Sequence, residues 1–126
     1  MEFTTYLLYT TIREEVIPNL CVYIQEFLWY NYYDDTPQED KIPIVNAYLS
    51  HPYADLDVLQ TLLNKCSKIL SYNPEIKEQI DTTIINKIEE LNNIYLNKYN
   101  AELLYNTTSN TLTCIYNKEV LFTITY

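Results

Sequence analysis

The chain has 126 residues, 48% of them hydrophobic, and a formal net charge of −9. This length and composition argue against a disordered chain and predict a single domain over residues 1–126. The acidity disfavours direct binding to nucleic acid or to an anionic membrane, and it favours a basic protein partner. It is concentrated before position 64, where ten acidic residues face only Arg13 and Lys41.

The sequence also bears on location and origin. It has no stretch of about 18 apolar residues that could span a bilayer, and its N-terminus shows neither a basic segment nor a secretion cleavage site. We therefore expect a cytoplasmic protein. Abundant Ile, Asn, Tyr and Lys beside a single Arg is typical of AT-rich coding sequence, which suggests a virus, a plasmid or an AT-rich microbe. A viral protein of this kind would be expected in the host cytosol. Cys21, Cys66 and Cys114 occupy apolar periodic positions and are expected to be buried free thiols.

The first third is predicted to contain a helix preceded by a short separate element. Residues 3–11 are rich in Thr, Tyr and Leu, which suits a strand or the first turns of a helix; we favour a strand, because strands near the C-terminus need partners. Thr11 and Glu14 have the spacing of a capping box for the helix that follows. Pro18 either kinks this helix or begins a new one, and helical character should last to about Tyr30 or Tyr33.

Two further helices are predicted after a solvated loop at 34–41. The first begins near Asp55 and ends near Tyr72. The second covers 74–99, with the Asn73 side chain as its N-cap and Pro74 in its first turn. Its early acids, Glu75, Glu78 and Asp81, suit the positive end of the helix dipole. Because the connection between the two helices is so short, we expect them to form an antiparallel pair.

The last quarter changes to the two-residue period of strands. Strands are predicted at 103–105, 112–116 and 120–126, with a two-residue turn at Asn117-Lys118. The chain has no glycine, so Asn is the residue best able to adopt left-handed turn conformations. One apolar sheet face is expected to hold Ile115, Val120, Phe122 and Ile124, and the other Leu112, Cys114 and Leu121. The predicted class is α+β: a mostly helical domain with an antiparallel helix pair and a small C-terminal antiparallel β-meander.

No motif predicts catalysis, a metal site or a cofactor. A phosphate-binding loop needs glycine, and the lone His51 with three isolated cysteines offers no zinc spacing, although the fold could bring a Cys and His51 together. Acidic residues with Lys41 superficially resemble the carboxylates of metal-dependent nucleases: Asp34, Asp35, Glu39 and Asp40. An enzyme with a carboxylate metal site therefore stays an alternative. It is disfavoured because these residues lie in a predicted loop and would repel a polyanion.

The sequence predicts a protein-binding surface between Glu26 and Asp57. Tyr and Trp are enriched at interface hot spots, and neighbouring carboxylates can steer a basic partner. The predicted partner-binding residues are Glu26, Trp29, Tyr30, Tyr32, Tyr33, Asp34, Asp35, Glu39, Asp40, Tyr53, Asp55 and Asp57. Four aromatics in five residues cannot all face inward from one helix. The alternative is that these rings fill the core above a solvated acidic loop.

Two functions fit these features. The first is a small non-enzymatic inhibitor or immunity protein, which covers a basic surface of a partner, such as a nucleic-acid-binding enzyme. The second is a self-associating structural or regulatory subunit of a virus or mobile element, with a homodimer formed through the C-terminal sheet. This alternative depends on both faces of that sheet being apolar, since such a sheet is usually covered on both sides.

Overall fold

The computed structural model describes residues 3–32 and 56–126, without the side chains of 29–32 and Tyr72. In this part of the chain, three helical segments precede a three-stranded antiparallel sheet of order β1-β2-β3. The α+β, mostly helical class with a C-terminal meander is therefore confirmed.

The first helical segment contains α1 (Phe3–Thr11) and α2 (Ile17–Tyr32), joined by a π-helical stretch over Ile12–Val16. The strand predicted at 3–11 is therefore wrong. The preference of Thr and Tyr for strands is weak. Because α1 continues into the helix that follows it, it does not require the unfavourable nucleation of a separate helix. Its Leu8 side chain is completely buried, so tertiary packing also stabilises the helical conformation.

The π-helical stretch is explained by the proline that follows it. Pro18 has no N–H to donate to the oxygen of Glu14, so the regular hydrogen-bond ladder is interrupted there. The Ile17 N–H instead donates to the oxygen of Ile12, five residues earlier. The predicted capping box is wrong: Thr11 has helical dihedrals and its side chain makes no capping hydrogen bond.

The second and third helical segments follow the predicted bounds closely. Helix α3 covers Leu56–Tyr72, and the third segment begins with a 3₁₀ turn at Pro74–Ile76. It continues as α4 (Lys77–Leu91), a π-helical stretch at Asn92–Leu96 and a 3₁₀ turn at Asn97–Tyr99. The predicted Asn73 side-chain cap does not form; the backbone oxygen of this residue accepts from Ile76 N–H at 3.3 Å instead. The predicted cap position Asp55 lies outside the described residues.

An antiparallel helix pair is present, but its members differ from those expected. The Thr11 hydroxyl lies 3.4 Å from the Tyr99 hydroxyl, and Lys87 Nζ lies 5.0 Å from the centre of the Tyr23 ring. Moving forward along the first segment thus corresponds to moving backward along the third, so these two segments run antiparallel. Helix α3 packs chiefly against α2 rather than against the helix that follows it.

The sheet consists of β1 (Ala101–Asn106), β2 (Thr111–Tyr116) and β3 (Glu119–Thr125). The two-residue turn at Asn117-Lys118 is confirmed, and both residues have positive φ, as a type I′ turn requires. Asparagine also takes the left-handed conformation at the end of the third helical segment, at Asn100 (φ 60°), and before β2, at Asn110 (φ 52°). Asparagine thus fills turn positions that glycine commonly occupies.

The predicted division of the sheet faces is wrong for β3 beyond Val120. Ile115 pairs with Val120, but Cys114 pairs with Phe122, so that Leu121 is an extra residue in a β-bulge. One extra residue reverses the alternation of faces beyond it. The inner face therefore combines Phe122 and Ile124 with Leu112 and Cys114, which the sequence placed on the opposite face, and Leu103 of β1 joins them. Ile115, Val120 and Leu104 lie on the outer face.

The inner face of the sheet packs against the helices. The buried apolar side chains of the described residues form one cluster, to which every α-helix and strands β1, β2 and β3 contribute. Cys21, Cys66 and Cys114 belong to it as buried free thiols, as predicted. Within 3–32 and 56–126, no helix combines the length and the apolarity needed to cross a bilayer.

Candidate functional site

The predicted partner-binding residues fall into three groups in the structure. Glu26 is exposed on α2, and Asp57 is exposed in the first turn of α3. Trp29, Tyr30 and Tyr32 belong to the last turns of α2, with side chains that the structure does not describe. The remaining predicted residues lie outside the described ranges: Tyr33, Asp34, Asp35, Glu39, Asp40, Tyr53 and Asp55. Lys41 and His51 lie outside these ranges as well.

The start of α4 adds carboxylates near the end of α2. Because segments 3–32 and 74–99 run antiparallel, the last turns of α2 lie beside the first turns of α4. Glu75 and Glu78 are both exposed there. They have a local structural role as well, since carboxylates are favourable at the positive end of a helix dipole.

The start of α3 contacts the end of the sheet, and Asp57 lies about 22 Å along α3 from Tyr72, where the chain turns into the third helical segment. Gln60, one turn after Asp57, donates through Nε2 to the backbone oxygen of Thr125 at 3.1 Å. Thr125 ends β3 beside the turn between β1 and β2, and Lys77 Nζ donates to the Thr107 oxygen in that turn at 2.8 Å. Asp57 therefore stands apart from Glu75 and Glu78. What we call the acidic end is formed by exposed carboxylates of α2 and of the start of the third helical segment: Glu26, Glu75 and Glu78.

A lysine at the acidic end is held by hydrogen bonds within the protein. Lys77 Nζ donates to Asp81 Oδ2 at 2.9 Å, to the Thr107 oxygen at 2.8 Å and to Asn110 Oδ1 at 2.9 Å. Asp81 lies four residues after Lys77, on the same side of α4. The ammonium group therefore ties α4 to the first hairpin turn, and its charge is balanced locally by Asp81.

Two stacked tyrosines extend this cluster. The Tyr105 hydroxyl donates to Asp81 Oδ1 at 3.0 Å and shares a short hydrogen bond with the Tyr126 hydroxyl; the ring centroids lie 6.4 Å apart. Burial raises the pKa of Tyr105 above its usual range, and Tyr126 and Asp81 raise it further. Burial also raises the pKa of Tyr126. Both phenols therefore stay neutral at physiological pH and fasten β1 and the end of the sheet to α4.

Sequence analysis identifies only part of this arrangement. The spacing of Lys77 and Asp81 is a visible signal of an ion pair along a helix. The contact of Asp81 with Tyr105 depends on how α4 lies across β1, which no local pattern reveals. From the sequence, the positions of Glu75 and Glu78 are explained only by the favourable effect of acidic residues at the start of a helix. Their proximity to the end of α2 follows from the antiparallel pairing of α2 with α4, which the sequence does not reveal.

Two shallow depressions on the described surface involve the sheet. One, of about 430 Å³, lies on the outer face of the sheet and includes Leu104, Thr113 and Ile115 in its lining. The other, of about 350 Å³, lies between α1 and β3. Among residues 3–32 and 56–126, no three His, Cys, Asp or Glu side chains are grouped so that they could hold a metal ion.

The buried thiols are poorly suited to nucleophilic chemistry. Burial raises the pKa of Cys66 to about 12 and that of Cys114 to about 11. At neutral pH both are therefore protonated, and the thiolate is the nucleophilic form.

Comparison with known proteins gives no relative from which a function could be transferred. The chain matches no protein-family model, no curated protein and no solved structure.

Proposed function

We propose that this chain is a small, acidic, non-enzymatic protein-binding module. Its acidic end covers a basic, nucleic-acid-binding surface of a partner protein. A viral or mobile-element inhibitor of a nuclease, or an immunity protein that blocks a toxin, would act in this way in the cytoplasm of the host cell.

The observation that supports this proposal is the convergence of exposed carboxylates from separate parts of the chain. Glu26 comes from α2, and Glu75 and Glu78 come from the start of the third helical segment. Helix α2, whose last turns contain the predicted partner-binding residues Trp29, Tyr30 and Tyr32, ends beside the first turns of α4.

The mechanism combines charge complementarity with steric exclusion. Carboxylates at the acidic end would take the positions that phosphates occupy on the partner, and their long-range attraction would speed encounter. The aromatic residues predicted around 29–33 would supply contact area from which water is excluded. Because the attraction acts between exposed charges, binding should weaken as salt is added.

The test uses two doubly substituted variants with the same change in net charge. Glu75→Lys with Glu78→Lys alters the acidic end, whereas Glu102→Lys with Glu119→Lys alters the opposite end of the sheet, where both residues are also exposed. Tagged wild type and both variants are used to capture proteins from host-cell lysate, and captured proteins are identified by mass spectrometry. Thermal unfolding checks that each variant is folded.

We expect the wild type and the Glu102/Glu119 variant to capture a common basic, nucleic-acid-binding protein. The Glu75/Glu78 variant should lose at least tenfold of this capture, because two attractive contacts become repulsive. Equal capture by both variants would refute a role for the acidic end.

Self-association through the sheet is a second candidate. Leu104 and Val120 are 42% and 60% exposed on the outer face, which is the observation that favours it. The same face carries Glu102 and the threonines Thr113 and Thr123, so its apolar area is interrupted. An outer-face Val120→Glu variant that lowers the molecular mass in solution would support this candidate.

A further inference from the structure

Helix α1 presents an exposed apolar face. Phe3 and Tyr6 are 75% and 56% exposed, and Leu7 and Tyr9 are also exposed. Residues 3–12 contain no charged side chain, although the whole chain carries a net charge of −9. These four side chains are here called the α1 face. Since contiguous exposed apolar patches are uncommon on soluble monomers, this face requires an explanation.

A groove lies directly beside the α1 face. It is lined by Tyr9 of α1, by Ile12 of the π-helical stretch and by Leu121 and Phe122 of β3, and its volume is about 350 Å³. This volume is sufficient for one aromatic side chain. An exposed ring and an apolar groove on the same surface are what an isologous two-fold contact needs, because each copy inserts its ring into the groove of the other.

The charge distribution indicates that the occupant is a second copy of this chain. Two copies of an acidic protein repel each other unless they meet at a surface without net charge. The α1 face meets this condition, and just beyond it the guanidinium of Arg13 lies 4.0 Å from the carboxylate of Glu14, so that opposite charges stand together there. In a two-fold arrangement each member of such a pair can face its opposite in the other copy.

The acidic end is too far from the α1 face to oppose this contact. Twenty residues of helix separate Tyr6 from Glu26, which corresponds to about 30 Å at 1.5 Å per residue. Physiological salt screens exposed charges over about 8 Å. Two copies joined at their α1 faces would therefore hold their acidic ends apart.

The exposed area is of the order that a weak dimer requires. If an aromatic side chain offers roughly 200 Å², the exposed parts of the α1 face amount to about 400 Å² in each copy. Both copies together then bury about 800 Å² from these side chains alone, and specific interfaces bury roughly 1,200–2,000 Å² in total. The groove and the charged residues around it would add the remainder.

We propose that the α1 face and the groove beside it form a homodimer interface, in which a ring of each copy, from Phe3 or Tyr6, enters the groove of the other. The chain would then carry two acidic ends. A dimer of this kind would bind repeated or dimeric basic partners with higher avidity than a single chain. The dimer itself does not depend on what the acidic end binds.

Light scattering and sedimentation equilibrium over a range of concentrations test the proposal. The wild type should approach twice the chain mass of 15.0 kDa as concentration rises. Phe3→Glu with Tyr6→Glu should weaken dimerisation at least tenfold, because the substitutions place four carboxylates at the interface. Both residues are exposed in the first turn or so of α1, where acidic side chains suit the helix dipole, so the fold should survive.

Val120→Glu is the matched control, since this side chain is also exposed and apolar but lies on the sheet. It should leave the dimer intact. A wild type that stays monomeric at every concentration would overturn the proposal, as would a dimer that Val120→Glu dissociates and the α1 variant does not. Salt separates this proposal from the first one: added salt should weaken binding of a basic partner much more than it weakens the dimer, whose contact is mainly apolar.

Discussion

The side-chain amide of Asn92 forms two hydrogen bonds with the backbone of Leu103. Asn92 Nδ2 donates to the Leu103 oxygen at 3.0 Å, and the Leu103 N–H donates to Asn92 Oδ1 at 2.8 Å. An edge strand ordinarily leaves such groups unpaired. The Asn92 side chain thus acts as a short substitute for a neighbouring strand along β1, and it fixes the sheet to the third helical segment.

Replacing this side chain should destabilise the fold. Asn92→Ala removes both hydrogen bonds and leaves the Leu103 backbone groups partly buried without partners, which should lower the free energy of unfolding by about 2 kcal/mol. Urea denaturation measures the change. Asn93→Ala is the control, because Asn93 is exposed and should contribute less than about 0.5 kcal/mol. Equal effects of the two substitutions would contradict this role.

The second hairpin turn is a site for stabilisation. Lys118 has a φ of 66°, a left-handed conformation that is unfavourable for residues with a Cβ atom. Asn-Gly is the preferred pair in a type I′ turn, so Lys118→Gly should raise the free energy of unfolding by about 1 kcal/mol. Lys118→Ala keeps the Cβ atom and should give no such gain. A loss of stability in thermal unfolding of the glycine variant would contradict the turn assignment.

Stability should depend on pH in the alkaline range. The pKa values of Tyr105 and Tyr126 are raised in the folded protein, mainly by burial. In the unfolded chain a tyrosine loses its proton near pH 10. The folded state therefore keeps two protons that the unfolded state releases, so this contribution to stability is present below about pH 10 and declines above it.

A double Tyr105→Phe, Tyr126→Phe variant isolates this contribution. It should be less stable than the wild type at neutral pH, because Asp81 loses a hydrogen-bond donor. Its free energy of unfolding should fall less steeply above about pH 10, since neither ring can titrate. Urea denaturation at several alkaline pH values provides the comparison, and parallel declines for both proteins would contradict the assignment.

The thiols should react only after unfolding. With a pKa of about 12 for Cys66 and about 11 for Cys114, no more than about one in a thousand of either thiol is ionised near pH 8. Cys21 is buried as well. Titration with a thiol-specific disulfide reagent should therefore be slow in native buffer and complete in guanidinium. A rapid phase in native buffer would show that at least one thiol is accessible.

Local patterns predict the elements of this fold better than their arrangement. The bounds of α3, the helical span 74–99 and the turn at Asn117-Lys118 follow from apolar periodicity, proline and turn-forming residues. The helical conformation of residues 3–11 does not follow from local patterns, because α1 depends on the helix that it extends and on the burial of Leu8. Propensity alone favours a strand there.

The arrangement depends on single residues whose effects are not local. The extra residue Leu121 places Phe122 and Ile124 on the opposite face of the sheet from Val120. A simple alternation of apolar residues cannot reveal this change. The helix pairing is another case: the short connection at Asn73-Pro74 suggested α3 and α4 as partners, but the first and third helical segments lie antiparallel. The acidic end depends on this pairing, which is why the sequence predicts only part of it.

The central claim, that the acidic end covers a nucleic-acid-binding surface, is tested most directly by competition. A labelled oligonucleotide is bound to the captured partner, and its fluorescence anisotropy is followed as the chain is added. We expect stoichiometric release of the oligonucleotide by the wild type and little release by the Glu75→Lys, Glu78→Lys variant. A stable ternary complex of partner, oligonucleotide and wild-type chain would contradict the claim.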